Sequence, residues 1–201
     1  MRSGGRLAFL GLLLVMLTAC TVSPRNDALP RCDIEAGPSP ALVLAAQSVP
    51  TAELVPCVNH LQPGWEFDEF DTRKGRTQFW FDSDRTGRAF LVVTLEAACD
   101  IGDAEEVPGG RDPRLPLASD HPGTRRFFDI MQVLPQEDSA GVGQYRGVWY
   151  FRFEGGCVTY RFAAEGQSLE TLDEDVAQAL GFVPSEDLRR LAREELDVEF
   201  P

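Results

Sequence analysis

Trp65-Glu-Phe-Asp-Glu-Phe-Asp-Thr-Arg-Lys-Gly-Arg-Thr-Gln-Phe-Trp-Phe-Asp82 is the stretch whose reading decides the fold. At one end Trp65 and Phe67 alternate with Glu66 and Asp68. At the other, Phe79 and Phe81 alternate with Gln78, Trp80 and Asp82. A period of two marks a strand with one buried face, because successive side chains point to opposite sides of a sheet. Arg73-Lys-Gly-Arg76 between them supplies a turn, so the stretch reads as a β-hairpin. A second turn, Asp84-Arg-Thr-Gly87, leads into Ala89 to Leu95, which is apolar on both faces and is expected to be a central strand.

Working outward, Phe127 to Val133, Val148 to Phe153 and Val158 to Phe162 supply three more strands. Trp149, Phe151 and Phe153 form one row, as do Val158, Tyr160 and Phe162, and both rows read as core. Gly155-Gly156 suits a tight connection between them. Asp100 to Thr124 holds four glycines and four prolines without periodicity and exceeds an ordinary connection. It reads as a long loop or a functional rim. Gln136 to Gln144 reads as a shorter loop.

The pattern then changes to helix. Thr171 with Glu174 forms a capping-box pattern, followed by Val176 and Leu180 and stopped by Gly181. Ser185 starts a second helix whose buried stripe is Leu188, Leu191, Ala192 and Leu196. Upstream, Thr51 is read as the cap of a helix running to about Leu61, with Leu54, Val55, Val58 and Leu61 on one face, although Pro56 lies inside it. Ala41 to Ala46 is apolar but too short for periodicity to assign. The expectation is a single α+β domain over residues 41–201. It has an antiparallel sheet of five to six strands, a short N-terminal helix, and two C-terminal helices covering one sheet face.

The formal net charge is −13, from 32 acidic and 19 basic residues. Such a domain does not neutralise phosphates, so no nucleic-acid partner is expected. It also resists lying on anionic lipid. The N-terminus supplies a different route to the membrane. Arg2 and Arg6 precede the apolar run Leu7 to Leu17, which ends in Leu17-Thr18-Ala19-Cys20. The run is short for a membrane span, which needs about 20 residues.

That order of charge, apolar run, small residue and cysteine resembles the lipobox of bacterial lipoproteins. The resemblance implies that residues 1–19 are removed as a signal peptide and that Cys20 is lipidated. Residues 20–40 then form a tether, broken by Pro24, Pro30, Gly37, Pro38 and Pro40. The lipid bilayer becomes a partner through acylated Cys20, with the protein held on the extracytoplasmic face of the cell membrane. More than one acyl chain is needed for stable anchoring, and the diacylglyceryl cysteine of that family meets the need. Loss of Arg2 and Arg6 takes the formal charge from −13 to −15.

Cys32, Cys57, Cys99 and Cys157 remain. An even number in an exported chain points to two disulfides with three possible pairings. Cys32–Cys57 and Cys99–Cys157 are favoured, the first fastening the N-terminal segment to the first helix, the second joining a strand end to a strand start. No C-x-x-C occurs, and only His60 and His121 could join the thiols in a zinc site.

Candidate chemistry is sparse. Asp82-Ser-Asp84-Arg-Thr86-Gly87 resembles the opening of an EF-hand calcium loop, but Val93 stands where the bidentate glutamate would be, so a hairpin turn is the preferred reading. His121, with Ser119, Asp120 and Asp129 nearby in sequence, is the candidate centre for a hydrolase. His60 reads as a surface or cap-region histidine. Asp103, Glu105 and Glu106 read as a solvated loop; of the acids Glu66, Asp68 and Glu69, which could suggest glycoside chemistry, Glu66 and Asp68 fall on the outward strand face, so solubility explains them as well. Arg125-Arg126 is too isolated for a strong anion site. No G-x-S-x-G, H-E-x-x-H or phosphate-loop pattern occurs.

Ala46-Gln-Ser-Val-Pro50, Val55-Pro-Cys57, Pro63-Gly-Trp65 and Gly156-Cys-Val-Thr-Tyr160 resemble segments of uncharacterised exported or membrane proteins of high-GC Gram-positive bacteria. That resemblance carries no catalytic assignment. No residue is therefore assigned to catalysis, a cofactor or a metal. The leading expectation is a lipoprotein acting as a non-enzymatic binding or accessory domain for an envelope component, through the sheet face or the rim at 100–124. The alternatives are an envelope hydrolase using His121 and a nearby carboxylate, and a small-ligand or cation-binding lipoprotein.

Overall fold

The hairpin read from residues 65–82 forms one end of a seven-stranded antiparallel sheet. The computed structural model describes residues 29–35, 37–107, 124–135 and 143–195, with backbone alone for 107, 130–135, 143 and 195. The strands of the large sheet are β2 (Trp65–Arg73), β3 (Arg76–Ser83), β4 (Gly87–Glu96), β5 (Glu105–Val107), β6 (Arg125–Pro135), β7 (Gly143–Phe153) and β8 (Gly156–Gln167). Their order is β2-β3-β4-β8-β7-β6-β5, so two meanders meet at the β4–β8 pair. Six of these strands follow the sequence reading. The seventh, β5, lies where a loop was expected, and three residues are too few to show a period.

Alternation alone does not give the register. The β2–β3 pairing shifts between Phe67 and Glu69, leaving Asp68 as a bulge. Phe67 opposite Phe81 and Phe70 opposite Phe79 therefore share one face despite their spacing of three. A similar shift in the β3–β4 pairing spans the turn at Asp82 to Ala89. Ala89 has φ of 50°, a left-handed conformation unusual for a residue with a Cβ. Its N–H donates to Asp82 Oδ1 at 2.8 Å. Beyond this kink Phe90 and Leu91 are both buried, and Phe90 packs edge-on to Trp65 at 4.7 Å.

The N-terminal helix is present, but not at Thr51 to Leu61. It is α1, Pro40–Ser48, with the Ser39 hydroxyl accepting from Leu42 N–H and Pro40 in the first turn. Ala41, Leu42, Ala45 and Ala46 are buried, and Leu44 is the exposed large apolar side chain among the described residues. Residues 54–58 instead form β1 (Leu54–Val58), paired antiparallel with β9 (Leu180–Pro184). All five β1 residues are buried, so apolar positions occur without a true helical period.

Helix α2 (Leu169–Ala179) has its cap three residues before the expected one at Thr171. Ser168 is the N-cap, its hydroxyl accepting from Thr171 N–H at 3.1 Å, so Thr171 lies within the first turn. Gly181 does not stop the helix. Leu180 already turns extended, and Gly181 lies inside β9, where an added Cβ would press on Asn59 and Cys32. Helix α3 (Ser185–Glu195) matches the expectation, with Leu188 and Ala192 buried and Leu191 half-buried; Leu196 lies outside the described residues.

The core lies between one face of the large sheet and a layer made of α1, the β1–β9 ladder, α2 and α3. Phe79, Phe81, Leu91, Val93, Leu95, Phe151, Val158 and Tyr160 meet Leu42, Val55, Leu172, Val176 and Leu188 there. Each such buried side chain contributes about 1.5–3 kcal/mol relative to exposure. The α+β class, the N-terminal helix and the two C-terminal helices thus agree with the sequence reading.

Both disulfides are present with the expected pairing. Cys32–Cys57 has a Cα–Cα distance of 4.9 Å, and Cys99–Cys157 one of 5.7 Å. The first fastens the incoming chain to a strand rather than a helix. Cys32 N–H donates to Val58 O at 3.0 Å, and Val58 N–H donates to Pro30 O at 2.7 Å. The segment from Leu29 therefore docks on the domain before α1 begins. No helix among the described residues is long and apolar enough to cross a membrane.

Candidate functional site

Two consecutive arginines show how the sheet sorts its side chains. On β6, Arg126 faces the helical layer, where its guanidinium pairs with Asp173 of α2. It also lies over the rings of Trp149 at 5.3 Å and Phe151 at 5.8 Å. Arg125 faces the opposite way. Its Nε donates to Glu106 Oε1 at 2.7 Å, and its guanidinium sits 5.3 Å from the Phe127 ring centroid. The hydrogen bond from Arg125 holds the Glu106 carboxyl below its ordinary pKa. Glu106 is thus a strand residue with a cation partner, which corrects its reading as part of a solvated loop.

The face opposite the helical layer has its own order. Trp80, Val92, Arg161, Val148 and Asp129 are cross-strand partners in one row over five strands. Gln78, Thr94, Thr159, Tyr150 and Phe127 make the adjacent row, with Gln78 Nε2 donating to Thr94 Oγ1 at 2.8 Å. Trp80, Val92, Val148 and Tyr150 are half-buried, and no helix among the described residues covers them. Burial, aided by the negative charges of Asp129 and Asp100 and opposed by Arg161, raises the Tyr150 phenol above its ordinary pKa.

On this face lies a groove of about 390 Å³, lined by Ala89, Val92, Asp129, Arg146, Val148 and Arg161 among others. Its floor is apolar and its rim carries two guanidinium groups and one carboxylate. Neither Arg146 nor Arg161 is ion-paired with another described residue. The strained Ala89 stands at its edge.

The sequence candidates distribute as follows. Cys20, Ser119, Asp120 and His121 lie outside the described residues. Asp129 is on the outer face, bordering the groove. Asp82, Asp84, Thr86 and Gly87 form the β3–β4 turn region, with Ser83 Oγ accepting from Arg85 N–H at 3.2 Å and from Thr86 N–H at 3.4 Å. Val93 is a core residue of β4. Among the described residues no group of three or more His, Cys, Asp or Glu is arranged to hold a metal ion. His60 lies 3.1 Å from Gln62 at the surface. Glu66 and Glu69 are exposed on the edge strand β2, with Asp68 bulged between them.

Sequence reasoning missed Arg146 and Arg161. The usable signal was the alternation of β8, where Thr159, Arg161 and Ala163 oppose Val158, Tyr160 and Phe162. Pairing of Arg161 with Val148 and of Arg146 with Ala163 is what brings the two arginines to one groove. Among the described residues this is a two-layer α+β domain with one sheet face covered by helices and the other without a covering element. Comparison with protein-family models, with curated proteins and with solved structures finds no match to the chain.

Proposed function

We propose that this protein is a membrane-tethered lipoprotein of the extracytoplasmic face whose domain binds another envelope component without catalysing a reaction. Acylated Cys20 would hold it in the bilayer, with residues 20–28 leading to the Cys32–Cys57 staple. The observation that carries the reading is the outer face of the sheet, which no described element covers, with its apolar groove between Arg146 and Arg161. The chain joins the domain at β1, in the layer covering the other face. A tether attached there leaves the outer face accessible.

The occupant that fits is a segment of an envelope protein bearing an apolar side chain beside a carboxylate. Val92 and Val148 would receive the apolar group, and the two arginines would pair with the carboxylate. On a domain as acidic as this one, the pair is a local reversal of sign that steers such a segment to one place. A photo-crosslinking residue at Val148 should trap a discrete protein adduct in living cells, and the same residue at Leu44 should not. Equal trapping at both positions would overturn the assignment. Cys20→Ser should release the protein from membranes, and unchanged membrane retention would sink the lipid anchor.

A further inference from the structure

A second concavity lies at the end of the helical layer, away from the outer-face groove. It is a cleft of about 330 Å³, at the small end of the roughly 300–1,000 Å³ range for small-molecule sites. Four elements build it. The turn into β2 supplies Gln62 and Trp65, the β3–β4 turn supplies Asp84 and Arg85, the end of β8 supplies Gln167, and α2 supplies Thr171 and Asp175. Trp65 N–H donates to Gln62 O at 3.0 Å, which closes the first turn. Asp84 N–H donates to Gly64 O at 2.9 Å, tying the two turns together. Gly64, at φ of 83°, lies under the Asp84 carboxylate, which a Cβ there would overlap. Gln62 Nε2 reaches the Asp175 carbonyl and Gln178 Oε1, both at 3.4 Å, and so stitches the turn to α2.

The walls have a mixed chemistry. Trp65 is half-buried, packs edge-on against Phe90, and is the aromatic residue lining the cleft. Around it stand two amides (Gln62 and Gln167), the Thr171 hydroxyl, two carboxylates (Asp84 and Asp175) and the Arg85 guanidinium. The Asp175 carboxylate accepts no hydrogen bond from another described residue, although it is half-buried. Burial raises its pKa, with Arg85 pulling the other way. A half-buried acceptor without a donor is unfavourable, and a ligand hydroxyl would relieve it.

From this arrangement we infer that the cleft is a saccharide-binding site taking a neutral pyranose unit. One indole face suits the aliphatic C–H face of a sugar ring. Planar amides, carboxylates and a guanidinium suit the neighbouring hydroxyls, each of which both donates and accepts. The lining is too polar for a lipid chain. A single arginine beside Asp84 does not make a phosphate site. The inference stands independently of the outer-face reading, because it uses none of the same residues.

The test is titration of the purified full chain with cellotetraose, chitotetraose and mannotetraose, read by tryptophan emission and by saturation-transfer NMR. At least one sugar should bind saturably in the millimolar to micromolar range. Asp175→Asn and Gln167→Ala should each weaken that binding by about threefold or more, the loss of one hydrogen bond. Asp175→Asn should not lower the thermal midpoint at neutral pH, because it removes a carboxylate whose charged form is disfavoured by burial, so weaker binding there is not unfolding. Absence of saturable binding by all three sugars, or binding indifferent to both variants, would overturn the assignment. Preferential binding of agmatine, a small guanidinium probe, would overturn it in favour of an organic cation.

Discussion

The two faces of the large sheet are made of the same strands yet follow different rules. The inner face is closed by α1, the β1–β9 ladder, α2 and α3, and it buries aromatic and aliphatic rows almost completely. The outer face carries half-buried apolar residues interleaved with Arg146, Arg161 and Asp129. Even a charge is treated differently on the two sides. Arg126 on the inner face is 14% exposed and held by Asp173 and two aromatic rings. Its neighbour Arg125 on the outer face is 60% exposed and pairs with Glu106 in solvent. One side chain belongs to the core and the other to a surface, though the two residues are adjacent in the chain. The contrast teaches that a sheet face gains its role from what covers it.

The largest effect should come from breaking the inner cation. Arg126→Ala removes the ion pair to Asp173 of α2 and the contacts to Trp149 and Phe151, and should cost about 3 kcal/mol, the low end for a broken buried pair. Urea denaturation measures it. Arg125→Ala serves as its counterpart and should leave the urea midpoint unchanged within error, since exposed pairs add little. Similar losses for both would erase the distinction between the faces.

Next in size is the staple that fixes the incoming chain to the covered side. Cys32→Ser with Cys57→Ser should lower stability by about 2–4 kcal/mol, read as a shift in thermal midpoint under non-reducing conditions. No shift would mean that the hydrogen bonds around Val58 dock the segment without covalent help. Arg161→Glu on the outer face should abolish the photo-adduct at Val148 while changing stability by no more than about 0.5 kcal/mol. Loss of adduct together with unfolding would instead assign Arg161 to the scaffold.

The smallest effect is a gain. Ala89→Gly should stabilise the domain by about 0.5–1 kcal/mol, because glycine adopts φ of 50° without the Cβ conflict. Part of that gain is offset by the greater freedom of glycine in the unfolded chain. Calorimetry would check the sign. A loss would indicate that the alanine methyl packs in a way that outweighs the strain.

Legibility followed the covering of each segment. Six strands were readable because they have one face toward the core or lie in the apolar centre of the sheet. The Thr51 to Leu61 segment misled because β1 is buried along its whole length, so its apolar positions repeat at no informative interval. Helix α1 was hidden for the same reason, with apolar residues nearly all round. The cap of α2 was displaced because Ser168 and Thr171 are both competent caps, and their hydroxyls lie 2.9 Å apart in the folded chain. The bulge at Asp68 left no mark in the hydrophobic pattern. The groove and the cleft were unreadable, since each gathers residues from separate elements whose register is set by pairing.

What the sequence determined by itself was the class of fold, the strand-rich middle, the two C-terminal helices and the presence of four cysteines suited to two disulfides. These depend on local periodicity, turn chemistry and the number of cysteines, all of which are written along the chain. The tertiary structure alone decided that Leu54–Val58 is a strand, that Arg125 and Arg126 part to opposite faces, and that Arg146 and Arg161 share a groove. It alone brought Trp65 and Asp175 to one cleft. Those outcomes rest on which backbone finds its hydrogen-bonding partner and which face another layer covers, and neither is a property of any short segment.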